Sequence, residues 1–587
     1  MSVGELNLDG LEDLLEATGH CLVLGGPGSG KTTAALAKAN LAIASDSWDD
    51  FRRVLFLSFA RSTVARIGEA ATSQVSKKLS KRIELTTYHS FIWRLIRSHG
   101  YLLKGTKLRL LPPHEAAAKM ANACKGLEKS EFAEAKQVEC QRLLDEEGLL
   151  NFDLFAEVAA ELLERSDKLC RIISSRHPII FLDEFQDTNA SEYRFIKCLA
   201  RYSTIIALAD PEQRIYEFRG ADPKRIPEFI ADFAPSQFDL AQRNHRSNGT
   251  DILDFANDLL SGEATNREYE DVKISQFPTR KGPTQHLWVK LDALNAINRV
   301  ASKSDDWSVA VLVPTQKLML AVSDYLSTEQ ANGKVKLPKM LHEVAVDAEG
   351  PSLAGITIGR LLECESVSEE AAVDNLIKDI CEHMVGRRGG KAPRKVDVQL
   401  IDGVGRFLTE RKVVGSKRKL LVEECQRVVH QTRSLAYTGD PFIDWVSTRD
   451  IISESAAPSI QCLATDALHL RFLRKGASLR SKLTELWRSN MSYAGSTVAV
   501  RNAFTNEHFV AKSQKPQGLH VMTIHKSKGK EFDEVVIYEG VRRDRIVRDP
   551  SDERNVAQST LLLRVGVSRA SQRVSILTPQ WAPCPLF

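Results

Sequence analysis

The chain has 587 residues, 43% of them hydrophobic and 27% charged, and a net charge of only +4. This is the balance of ordinary globular protein, with room for three to five domains of roughly 100–200 residues, and it excludes a globally basic nucleic-acid coat; a nucleic-acid surface must be a local patch. No apolar run approaches membrane-spanning length and no basic-then-apolar leader opens the chain, so a cytoplasmic protein without a membrane segment is expected. The ten cysteines form no CxxC pair, which argues for reduced core thiols over zinc or an iron–sulfur cluster.

Taken from the N-terminus, "CLVLGG" (21–26), "RVLFLSFA" (53–60), "PIIFLDEF" (178–185) and "TIIALAD" (204–210) are short apolar runs that stop abruptly at Gly, Ser or Asp. A second group follows: "SVAVLVPT" (308–315), "LHVMTIH" (519–525), "EVVIYEG" (534–540) and "RVSILTP" (573–579). Such runs, separated by helical stretches, predict parallel strands covered on both faces, in two α/β sheets. Polar residues at the carboxyl ends of these strands fall where open α/β sheets bind ligands. Between the runs, 101–170 is rich in Ala, Glu, Lys and Leu, and 341–505 also reads as mostly helical, so each sheet is expected to carry a helical insert. The stretch "GRRGGKAPRKVD" (386–397) is the best candidate for a mobile basic loop.

"GGPGSGKTT" (25–33) lies between the first strand and a helical run and fits G-x-x-x-x-G-K-[ST]. Gly25, Gly26, Gly28 and Gly30 let backbone N–H groups wrap phosphates, with Pro27 and Ser29 completing the loop and the helix dipole behind it. Lys31 is expected on the β- and γ-phosphates, Thr32 on Mg²⁺, and Thr33 beside it. The polar groups ending "PIIFLDEFQD" then have a use. Asp183 is placed to hold Mg²⁺ through water, and Glu184 to polarise the attacking water. Asp187 has a plainer alternative, bonding nearby backbone or capping the next helix.

With "LDEFQDTN" (182–189) beside that loop, the chain resembles the superfamily 1 helicases of the UvrD/Rep type. The rest of the family's motif series stands in order. "LFLSFARSTVARI" (55–67) and "TTYHSFIWRLIRSHG" (86–100) resemble its first single-strand contact motifs. "LADPEQRIYEFRGAD" (208–222) and "QRNHRS" (242–247) follow, then "VMTIHKSKGKEFDEVVI" (521–537) and "LLLRVGVSRASQRVSIL" (561–577). The resemblance implies two RecA-like P-loop domains, the first from 1–100 and 171–250, the second from 251–340 and 506–587. The inserts are 101–170 and 341–505. It implies ATP with Mg²⁺ bound between the sheets, Gln213 linking phosphate to a DNA-facing loop, and Arg246 and Arg569 as arginine fingers. His245 would stack on the base, Glu531 would meet the sugar, and Gly529 would give close backbone approach. Phe59, Arg61, Thr87, Tyr88, His89, Tyr216, Phe218, Arg219, Thr523 and His525 would contact single-stranded or tailed duplex DNA. Core packing is the alternative for each aromatic, and a structural hydrogen bond for each histidine.

Departures from the pattern matter as well. No glutamine occurs before Gln74, so the family's adenine-reading residue has no counterpart, and weak discrimination among purines is expected. Phe218 stands where the family has tryptophan. The chain runs 18 residues past Arg569, so no C-terminal nuclease is expected. This compact plan resembles helicase subunits that work beside a separate nuclease, as in Gabija-type phage defence, where the partner is an overcoming-lysogenisation-defect-type nuclease; DNA repair is the rival setting. The function expected is ATP-driven translocation, 3′→5′ on single-stranded DNA. The alternative is a nucleotide-gated DNA sensor that regulates a nuclease without processive unwinding. The basic residues of 387–419 read either as a duplex grip or as a solvated helix face.

Overall fold

The computed structural model describes residues 12–45, 48–59, 63–65, 67–68, 81–213, 222–240, 249–278, 286–332, 335–345, 349–387, 389, 391–468, 470, 477–507 and 516–587. The chain divides into two compact units. One comprises 1–92, 159–346 and 511–587, the other 93–158 and 347–510.

The first unit is α/β and holds two six-stranded sheets. The strands of the first are β1 (Cys21–Leu24), β2 (Val54–Ser58), β3 (Ile83–Thr87), β4 (Ile179–Leu182), β5 (Thr204–Ala209) and β6 (Ser236–Asp239), ordered β3-β2-β4-β5-β1-β6. The second sheet has β7 (Val272–Phe277), β8 (Ser308–Val313), β9 (His342–Val344), β10 (Gly518–Thr523), β11 (Phe532–Tyr538) and β12 (Ala570–Pro579), ordered β9-β10-β8-β11-β12-β7. Every pairing in both sheets is parallel. All eight predicted runs are strands. The four strands that the apolar-run rule misses, β3, β6, β7 and β9, are the four sheet edges, paired on one side only.

The first sheet forms because its central strands are covered on both faces. Helix α1 (Lys31–Ser45) lays Ala34, Leu36, Ala39 and Ile43 against Cys21, Val23, Phe56, Phe181 and Ile206. Its alanines allow close approach, and Phe56 stacks on Phe181 with centroids 4.4 Å apart. Each fully buried large apolar side chain here contributes about 1.5–3 kcal/mol. In the second sheet, Gly566 lets helix α2 (Glu553–Val567) settle on the strands; a Cβ there would lie 3.2 Å from Ile537 and 3.3 Å from Ile524.

Residues 159–170, expected in the first helical insert, lie in the α/β unit. The reason is packing: Leu162, Leu163, Leu169 and Cys170 are buried, the Cys170 thiol donates to Leu163 O, and Arg194 pairs with Glu164 at 2.8 Å. In the second unit an apolar core forms within 354–504, and helix Pro113–Ala123 of the first insert packs against Glu349–Leu362 and Glu369–Gly386. Among the described residues, no helix is long and apolar enough to cross a membrane.

Candidate active site

Three neighbouring strands of the first sheet, β4, β5 and β1, deliver their carboxyl-terminal loops to one place. These loops carry 183–187, 210–213 and 25–32. Gly25 N–H donates to Ala209 O at 3.1 Å, which ties the phosphate loop to the end of β5. Glycine is required at Gly25, since a Cβ would sit 2.5 Å from Ser29 Oγ, and Gly28 and Gly30 take φ of 73° and 84°. The Lys31 ammonium donates to Gly25 O (2.6 Å) and Gly26 O (2.9 Å), so it lies within the cradle its loop makes. Thr32 and Thr33, half-buried, open α1 behind it.

Asp183 is buried, and its Oδ2 accepts from Ser58 Oγ of β2 at 3.0 Å. Glu184 follows with φ 54°, the left-handed region that non-glycine residues avoid at a cost of about 1–3 kcal/mol. Its Oε2 accepts from Gln186 Nε2 at 2.6 Å. Gln186 Oε1 in turn accepts from Asp210 N–H at 3.0 Å, and Asp210 Oδ2 accepts from Gln213 Nε2 at 2.8 Å. One hydrogen-bonded line therefore runs from Glu184 to Gln213.

The second sheet meets this line with cations carried at the amino ends of β11 and β12. Arg569, 2% exposed, donates through Nη2 to Gln213 Oε1 at 3.3 Å and to Ser568 Oγ at 2.8 Å. Lys528, also buried, donates to Asp187 Oδ2 at 2.5 Å and to Gln213 O at 2.7 Å, and lies 3.5 Å from Glu184 Oε2. Asp187 thus pairs across the cleft instead of capping a helix. The cap of the next helix, Ala190–Ala200, is Asn189, which accepts from Glu192 N–H at 2.9 Å. Burial pushes the Glu184 carboxyl up, but Lys528, Lys31, the Gln186 hydrogen bond and Arg569 outweigh it and hold the group down at about 2. For Asp187 burial wins and the shift is upward, with Glu184 and Asp183 adding to it and Lys528 opposing.

Gly529 has φ 76° and is buried, which explains the glycine, and Glu531 beside it is half-buried. Of the expected DNA contacts, Tyr88 is corrected. It is 1% exposed and stacks on Phe59 with centroids 4.4 Å apart, so its ring has no open face for a base, whereas Phe59 is half-buried. Thr87 is buried and accepts from Ser90 N–H at 3.2 Å, at the start of helix Tyr88–His99. His89, Thr523 and His525 are half-buried. Arg61, Tyr216, Phe218, Arg219, His245 and Arg246 lie outside the described residues.

This geometry is matched by what the chain resembles. Residues 7–134 and 102–234 match the UvrD/REP helicase N-terminal domain. Over residues 7–234 the chain is therefore similar to the UvrD/Rep helicases. It is 27% identical over 351 residues to DNA helicase II of Haemophilus influenzae, covering 52% of this chain and 47% of that protein. It is 25% identical over 283 residues to the ATP-dependent DNA helicase Rep of Salmonella typhimurium, covering 42% and 41%. A 125-residue stretch is 31% identical to the ATP-dependent DNA helicase PcrA of Staphylococcus aureus, covering 21% of this chain and 17% of that protein. The chain thus spans less than half the length of these relatives.

Sequence reasoning missed Lys528, Asp210 and Gln186 as members of this hydrogen-bonded cluster. Lys528 had a usable signal: a lysine between Ser527 and Gly529, close to the sugar-contact position, inside one of the motifs that carry the resemblance. Gln186 and Asp210 likewise lie inside quoted motifs, "LDEFQDTN" and "LADPEQRIYEFRGAD", but the hydrogen bond that links them spans 24 positions and has no spacing rule.

Proposed function

We propose that the chain is an ATP-driven motor on single-stranded DNA, hydrolysing ATP between its two RecA-like sheets. The observation that carries the reading is the pairing of Arg569 and Lys528, from the second sheet, with Gln213 and Asp187 of the first. A phosphate cradle on one sheet and cations from the other make a site whose completeness depends on how the sheets meet, so hydrolysis can report their closure. Lys31 neutralises the phosphate chain, Glu184 accepts the proton of the attacking water, Gln213 orients that water, and Arg569 stabilises charge on the transferred phosphoryl group. A buried carboxylate at Asp183 and the Thr32 hydroxyl fit Mg²⁺, which keeps most of its waters and takes one or two protein oxygens plus phosphate. Held there by Asp183 and Thr32, Mg²⁺ would supply positive charge that offsets the charge of the phosphates.

Addition of single-stranded DNA to the purified chain is expected to raise kcat for ATP by at least about tenfold, with GTP turned over within about 100-fold of ATP because no glutamine reads the base. ATP turnover indifferent to DNA would sink the reading. The polarity, 3′→5′, and a separate nuclease as partner rest on resemblance alone. Unwinding of 3′-tailed but not 5′-tailed duplex tests the first, and co-purification of a nuclease tests the second.

The basic segment 387–419 is read as a duplex grip. It spans the turn between helices Lys395–Glu410 and Ser416–Arg433. Arg387, Arg394 and Arg411 are already paired, with Asp466, Asp397 and Asp374. Lys391, Lys395, Arg406, Lys412, Lys417 and Lys419 are exposed and have no ion pair among the described residues. Changing these to Ser is expected to weaken duplex binding and to flatten the plot of log K against log salt by about 0.9 for each phosphate no longer neutralised. An unchanged slope assigns them to a solvated helix face.

A further inference from the structure

Arg564 precedes Arg569 at the end of α2 and takes no part in the hydrolysis scheme. Only 3% of it is exposed. Its Nη2 donates to Asn257 Oδ1 at 3.3 Å, within its own half of the cleft. Its Nη1 lies 3.9 Å from Asp210 Oδ1, across the cleft, and Nε and Nη1 have no hydrogen-bond partner among the described residues. A buried guanidinium with two idle N–H groups is costly unless a charge nearby compensates it. The charge available is Asp210.

Asp210 is the junction of the site. Its side chain accepts from Gln213, which accepts from Arg569. Its backbone N–H donates to Gln186, which donates to Glu184. The residue before it accepts from Gly25 N–H, so the Asp210 carboxylate stands beside the phosphate loop. Without a counter-charge that carboxylate would leave Gln213 and Gln186 poorly held. We propose that Arg564 is a positioning residue: from the second sheet it balances the Asp210 carboxylate, and through it holds Gln213 and the Gln186–Glu184 pair in register with the phosphates. The plainer alternative is that Arg564, in the last turn of its helix, only satisfies the helix dipole.

The inference rests on the ATPase reading, and the experiment separates the two. Full-length wild type, R564M, R564K, D210N and the R564M/D210N double variant are compared for kcat and KM of DNA-stimulated ATP hydrolysis, with Tm recorded for each. R564M is expected to lower kcat about tenfold or more while KM moves less than about threefold, as an interaction realised in the transition state requires. Adding D210N to R564M is expected to recover activity, because the stranded carboxylate is then gone; residues in contact couple in this non-additive way. R564K is expected to retain more activity than R564M, and it carries the test if R564M does not fold. Multiplying losses in the double variant, or a lowered Tm with kcat intact, would overturn the inference and leave Arg564 a structural arginine. An inactive wild type would instead remove the ATPase reading beneath it. An active wild type matched by R564M removes the inference alone.

Discussion

Replacing Arg569 with Ala is expected to lower kcat for DNA-stimulated ATP hydrolysis by at least ~10³-fold, about 4 kcal/mol of transition-state stabilisation. The guanidinium is held before any phosphate arrives. Its Nε donates to Val565 O at 2.9 Å, Nη2 to Ser568 Oγ at 2.8 Å and Nη1 to Lys530 O at 3.4 Å. Three supports from its own sheet leave the fork fixed and little reorganisation for the reaction to supply. Its partner across the cleft is Gln213, the residue proposed to orient water. Arg569→Lys keeps the charge but loses the planar fork and most of these supports, so it is expected to recover less than about tenfold of the loss. ATP affinity, measured by equilibrium titration, is expected to change by under about tenfold, because the effect belongs to the transition state. Single-turnover hydrolysis by Arg569→Ala within tenfold of wild type would reduce Arg569 to a brace between the sheets.

What the sequence made legible follows a physical line. A strand covered on both faces must be apolar throughout, so β1, β2, β4, β5, β8, β10, β11 and β12 stand out as continuous runs. Edge strands obey no such rule. "SQFD" in β6 is mostly exposed and "VKISQF" in β7 is buried only at its two ends, Val272 and Phe277, because an edge strand is covered less completely than a central one. The same split runs through the site. The phosphate loop, Asp183 and Glu184 are set by local chain geometry, and local spacing finds them. Lys528 and Asp187 are 341 positions apart, and Arg569 and Gln213 are 356 apart. Arg569 is expected only because the UvrD/Rep resemblance supplies it, and Lys528 lies inside another motif of that resemblance, where its partner across the cleft is not legible. Nor can a sequence say which of two stacked rings turns inward, and of Phe59 and Tyr88 it is Tyr88 that is buried. The left-handed φ of Glu184 is invisible for a similar reason. Nothing in "LDEF" forces it; the position is imposed by the 3₁₀ turn Phe185–Asp187 and by the partners that hold the carboxylate.

Glu184→Gln is expected to lower kcat at least ~10²-fold, the lower range for loss of a general base, while nucleotide and DNA binding persist. The substitution is close to isosteric. Gln can keep an amide oxygen on Gln186 Nε2, so the line from Gln186 to Asp210 survives. It removes one negative charge from a place that also holds Asp183 and Asp187, and Lys528 retains Asp187 as partner at 2.5 Å. ATP is therefore expected to bind as tightly as in wild type or more tightly, since the γ-phosphate meets one anion fewer. Backbone strain offers a second handle. Glu184→Gly relieves the left-handed cost of about 1–3 kcal/mol and deletes the carboxylate, so it is expected to raise Tm yet to be as inactive as Glu184→Gln. A variant more stable and no less defective separates the chemistry of Glu184 from its conformation. Rapid-quench single-turnover hydrolysis, with DNA saturating, isolates the chemical step from product release. A Glu184→Gln burst at near wild-type rate would show that another group takes the proton, and Asp187, whose carboxyl burial pushes upward, would be the first to test.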